Sequence, residues 1–116
     1  MKEKILIANE TEGNLPRLPF LPLKQKILGR HYSLYIIFVG DARSRALNRV
    51  YRKRDKPTNI LAFPIGKKEG ELYVNLRQIK RELKTFNRGF KNLTIFLLIH
   101  GMFHLKGERH GSRMEA

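Results

Sequence analysis

The stretch from Leu93 to Leu105, LTIFLLIHGMFHL, is apolar on nearly every side of a helix, and such a helix must be buried by the rest of the chain. The remainder of the 116 residues is therefore read as what surrounds it. A chain of this length can bury roughly two thirds of its unfolded surface, which is room for one core. The expected organisation is a single domain over residues 1–116, with no repeat, low-complexity tract or Gly/Ser linker to divide it. Gly107 is well placed to end the apolar helix.

Four segments read as strands: Lys4 to Ala8, Ser33 to Val39, Asn59 to Phe63 and Glu71 to Val74, each rich in branched or aromatic residues and bounded by polar residues or glycine. A short amphipathic helix is expected over Leu23 to Leu28, stopped by Gly29. Asp41 is the expected cap of a helix running to about Arg52, with Ala46, Leu47, Val50 and Tyr51 on its buried side and arginines elsewhere. Asn75 caps a further helix in which Leu76, Ile79, Leu83 and Phe86 recur at three- and four-residue intervals. Strands interleaved with helices predict an α/β or α+β layer architecture: one mixed sheet of four strands packed by helices, with the histidine-bearing helix buried.

Apolar runs such as Ile95 to Ile99 fall far short of the roughly 20 residues a membrane span needs. MKEKILIANE does not read as a secretory leader, so a cytoplasmic protein without membrane association is expected. With 24 Lys and Arg against 10 Asp and Glu, the formal net charge is +14, a field that attracts polyanions. Nucleic acid is the expected partner, with no feature selecting DNA. The blander alternative is a merely solvated basic surface. Cysteine is absent, so a transition-metal site must be built from imidazole, carboxylate and water.

Three of the four histidines, His100, His104 and His110, lie within eleven residues. His100 and His104 are four apart and share one helix face about 6 Å from each other. After Gly107 the chain can turn to bring His110 to the same point, giving three nitrogen ligands for zinc and an open position for water. The spacing is similar to the tri-histidine frame of metzincin metalloproteases, which carry a general-base glutamate directly after the first histidine. Here that position is Gly101, which argues against peptide hydrolysis but leaves the metal frame intact. Glu71 and Glu108 are candidate acceptors for the free ring nitrogens, though a solvated carboxylate is an equal reading of each. His31 lies far from this cluster and reads as structural or surface.

A second informative stretch is LNRVYRKRDKPTNILAFP, Leu47 to Pro64, in which Arg52 and Arg54 offer guanidinium groups suited to phosphate. Together the two stretches resemble the YbeY family of metal-dependent endoribonucleases. His100, Gly101, His104, Leu105, Gly107 and His110 match its histidine signature; Asn48, Arg52, Asp55, Pro57, Thr58, Asn59, Leu61, Phe63 and Pro64 match its second block. Gly70 and Leu72 resemble a shorter third one. The resemblance implies zinc on the three histidines, Arg52 and His100 as catalytic residues, and cleavage of single-stranded ribosomal RNA in ribosomal RNA maturation and ribosome quality control, with ribosomal small-subunit proteins as candidate partners. The chain departs from the family where Glu108 and Arg109 replace Tyr-Asp and Ala62 replaces Ser. Because Gly101 leaves no obvious general base, the alternative is a noncatalytic RNA-binding or ribosome-associated module with a structural metal.

Overall fold

In the computed structural model, which describes residues 3–107, the elements follow in the order β1 (Lys4–Asn9), α1 (Phe20–Ile27), β2 (Ser33–Phe38), α2 (Asp41–Arg52), β3 (Ile60–Gly66), β4 (Glu69–Val74), α3 (Leu76–Arg81), α4 (Leu83–Phe86) and α5 (Phe90–Gly107). The strands form one sheet in the order β1-β2-β4-β3. β1 and β4 run parallel to β2, and β3 pairs antiparallel with β4 as a hairpin. This is the mixed four-stranded sheet packed by helices that the sequence predicts.

Alternation along the strands sorts the side chains. Leu34, Ile36 and Phe38 of β2, Leu72 and Val74 of β4, and Ile60 and Ala62 of β3 join the core. Across that face lies α5, which contributes Leu93, Leu97, Leu98, Met102 and Leu105, with α1 and α3 packed beside it. Two glycines permit the close approach. A Cβ on Gly101 of α5 would stand 2.8 Å from Leu72 Cδ2 and 3.2 Å from Ile60 Cδ1, and one on Gly70 of β4 would stand 2.8 Å from Leu105 Cδ2. The opposite sheet face, carrying Tyr35, Ile37, Phe63 and Tyr73, is only partly covered, and α2 reaches it where Tyr51 meets Phe63. No helix among the described residues is long and apolar enough to cross a membrane.

Several local expectations are corrected. α1 begins at Phe20 and includes Pro22, which lies in the first turn, where a missing N–H costs no helical hydrogen bond. α2 is capped by Gly40, and Asp41 is its first residue. The stripe expected to be buried in α2 is not: Val50 is 65% and Tyr51 63% exposed, while Ser44 and Asn48 are buried. The reason is the partner. α2 packs on the loop that follows it: Ser44 Oγ donates to Thr58 O at 2.9 Å and accepts from Thr58 N at 2.9 Å, and Asn48 Nδ2 donates to Lys56 O at 2.9 Å. A loop whose peptide groups lack a ladder is satisfied by polar side chains, not by an apolar stripe.

The helix expected from Asn75 through Phe86 divides at Glu82, whose carboxylate accepts from Asn59 Nδ2 at 2.9 Å and Gln78 Nε2 at 2.8 Å. Phe86 consequently turns outward. Asn75 does cap α3, accepting from Gln78 N at 3.1 Å. α5 is longer than its apolar core and is buried along one side, leaving Phe96 42% and Phe103 55% exposed.

Candidate functional site

The orientation of α5 follows from its small and aliphatic residues. Gly101, Met102 and Leu105 occupy the buried side, and Thr94, which is fully buried, satisfies its hydroxyl by donating to Phe90 O at 2.8 Å. His100 is consequently exposed and His104 partly so. The two rings meet nearly at right angles, with centroids 4.4 Å apart, and their Nε2 atoms are separated by 3.0 Å. The nitrogens are thus closer than helical spacing alone requires, since the side chains lean toward each other across the turn. At that distance one ring N–H donates to the other ring nitrogen; two nitrogens on one tetrahedral zinc at about 2.0–2.1 Å would stand about 3.3 Å apart, so the pair would have to part slightly to share an ion in place of the proton.

One turn earlier, Phe96 lies roughly parallel to His100, with centroids 6.4 Å apart and 15° between the planes. The Arg88 guanidinium sits 4.5 Å over the Phe96 ring. His100 is therefore flanked by Phe96 on one side and His104 on the other. The apolar run of α5 predicts Phe96 to be core, and no motif includes Arg88; the structure leaves Phe96 exposed beneath the Arg88 guanidinium. Phe96 is four residues before His100 and so shares its side of the helix, whereas Arg88 precedes the helix and has no such spacing.

His110 and Glu108 lie outside the described residues. Among the described residues, no group of three His, Cys, Asp or Glu side chains is placed to hold a metal ion. Glu71 alternates with Leu72 and so points to the other sheet face, where it accepts from the Tyr73 hydroxyl at 3.0 Å rather than serving an imidazole. Position 101 faces Leu72 and Ile60, so a side chain there would enter the core. The place that bears a general base in metalloproteases is therefore a packing position in this fold.

Arg52 ends α2 and is partly buried, and Lys53 after it adopts a left-handed conformation with φ of 58°. Much of the second motif builds the loop around it. Asp55 accepts from Arg45 Nε at 2.8 Å and Nη2 at 3.1 Å, an exposed pair whose hydrogen bond holds the Asp55 carboxyl below its ordinary range. Asn48 and Thr58 make the bonds described above, and Asn59 reaches Glu82. At the other end of α2, hydrogen bonding from Arg81, then from Asn75, draws the Asp41 carboxyl down to about 2 and ties α2 to α3.

A mixed sheet crossed by one half-buried helix, whose outer side carries two converging imidazoles, defines a small basic α+β protein with a candidate metal centre on its central helix. The family model described as Endoribonuclease YbeY matches residues 15–116. The chain belongs to the YbeY family.

Among its relatives, the Endoribonuclease YbeY of Chelativorans sp. (strain BNC1) is 34% identical over 93 residues, covering 72% of this chain and 57% of that protein. That of Phytoplasma mali (strain AT) is 30% identical over 123 residues, covering 97% of this chain and 78% of that one. The solution structure of TM1509 from Thermotoga maritima superposes with a TM-score of 0.59 at 26% identity, covering 89% of this chain and 72% of that one.

Proposed function

We propose that the chain is a zinc-dependent endoribonuclease acting on single-stranded ribosomal RNA during ribosomal RNA maturation and ribosome quality control, in the cytoplasm. The observation that carries this reading is the convergence of His100 and His104, Nε2 to Nε2 at 3.0 Å, in a chain of this family. Kinship with endoribonucleases supports the reaction, and the net charge of +14 suits an RNA substrate.

His100, His104 and His110 would hold the ion. Bound zinc supplies Lewis acidity toward a phosphoryl oxygen and a water of lowered pKa. The chain's own part is positioning. Phe96 and His104 fix the plane of His100, and Arg52 offers paired N–H donors matched to phosphate oxygens, where charge develops during cleavage. Ribosomal small-subunit proteins are the protein partners this reading implies.

The test is metal content of the purified protein, followed by cleavage of single-stranded RNA with and without chelator. His104→Ala should abolish metal retention and cleavage together while leaving nonspecific RNA affinity largely intact. Undiminished cleavage by this variant would end the reading. One observation favours a second reading, a noncatalytic RNA-binding module with a structural metal: position 101 faces the core and cannot carry a base to the imidazoles. Stoichiometric, salt-sensitive RNA binding with no turnover under any divalent metal would establish it instead.

A further inference from the structure

The sheet face turned away from α5 has no part in the site described above, and it is where the chain keeps most of its tyrosines. Tyr35 of β2, Tyr73 of β4 and Phe63 of β3 lie on it, each partly exposed. Tyr51 of α2 extends the row: its ring centroid is 4.8 Å from that of Phe63, which is 5.6 Å from that of Tyr73. Cations fringe the rings. Lys4 Nζ lies 5.9 Å from the Tyr35 centroid and Arg43 Cζ 6.0 Å from that of Tyr73.

We propose that this face is a stacking platform for the unpaired bases of a single RNA strand, an inference that rests on the RNA reading above. Three features lead to it. Tyr51 is 63% exposed, so its ring is not kept for the core. The rings are spread over three neighbouring strands and the adjacent helix, so several bases can be accommodated at once; sheets that bind single strands use aromatic side chains in this way. The charge is arranged to match. The carboxylates of Glu69 and Glu71 lie on the central strand β4, while Lys4 of the edge strand β1 and Arg43 of α2 stand beside the outer rings. Phosphates are drawn to the margins and bases to the rings. A duplex, whose bases are already stacked on each other, gains nothing from such a surface.

The composition supplies the probe. The chain has four tyrosines and no tryptophan, and Tyr35, Tyr51 and Tyr73 are on this face, so ultraviolet emission reports on it directly. Titration of the full chain with a single-stranded oligouridylate should quench most of that emission, and a duplex of the same length should not. Tyr51→Leu and Tyr35→Leu, which keep apolar bulk but remove the ring, should each weaken single-strand affinity by between about fivefold and a hundredfold, without changing the slope of affinity against salt. Tyr51→Leu serves as the variant free of folding effects because its side chain is so exposed, and an unchanged melting temperature checks this.

Wild-type binding of the single strand with undiminished tyrosine emission, or binding by both variants at wild-type strength, overturns the platform. Concentration-dependent dimerisation abolished by Tyr51→Leu, with RNA affinity untouched, overturns it in favour of a second copy of the chain. Wild-type protein that binds no RNA refutes the functional reading itself, and that result is visible before any variant is made.

Discussion

Replacing Gly101 by alanine sets two effects against each other. Alanine is favoured over glycine in a helix interior by about 1 kcal/mol, so local propensity predicts a more stable protein. The packing predicts the reverse. The new Cβ would sit 2.8 Å from Leu72 Cδ2 and 3.2 Å from Ile60 Cδ1, whereas carbon atoms prefer about 3.5–4.0 Å. Leu72 is completely buried and Ile60 nearly so, which leaves neither an easy rotamer to escape into. Overpacking of this kind typically costs about 1–3 kcal/mol, so the expected balance is a net loss of about 1 kcal/mol. For a chain of this size that lowers the melting temperature by about 4–8 °C. Urea unfolding of the two proteins measures the difference at constant slope. Repeating the substitution in a Leu72→Val background should reduce its cost, with a coupling of at least about 0.5 kcal/mol between the two positions. Gly101→Ala protein more stable than wild type by the full helix-propensity increment would refute the claim that position 101 is a packing constraint.

Other expectations follow from the same geometry. Phe96→Leu should lower the affinity of the histidine cluster for cobalt or zinc severalfold, and Phe96→Tyr should restore it; equal affinities would show that the ring does not position His100. Asp41, drawn to about 2 by Arg81, contributes stability that is present above about pH 4 and lost as the pH falls toward 2. Asp41→Asn should therefore cost on the order of 1 kcal/mol at neutral pH and almost nothing at pH 2, as followed by denaturant midpoints, the partly solvated pair keeping the value small. Lys24 is fully buried, bonded to Glu3 at 3.1 Å and to Arg30 O at 3.0 Å. Lys24→Ala should destabilise by about 3 kcal/mol, and Lys24→Met, which refills the volume, by distinctly less; equal losses would mean that the charge rather than the packing matters.

The architecture and the placing of His100 and His104 on one helix face are legible in the sequence, because both rest on period. The alternation of Leu34, Ile36 and Phe38 announces a strand with one buried face, and four-residue spacing places His100 and His104 on one side of a helix. Asn75 announced its helix by the chemistry of a cap. Period says which residues share a face but not what that face will meet. For α2 the neighbour is a loop, so Ser44 and Asn48 are buried and Val50 and Tyr51 are left outside, against the apolar pattern. The break at Glu82 depends on Asn59, more than twenty residues away, and the role of Gly101 on methyl groups of two strands. The 3.0 Å approach of the imidazoles is a matter of side-chain rotamers, which spacing along the helix leaves open. Local spacing is written along the chain, whereas contacts between distant segments exist only once the sheet and α5 have closed on each other.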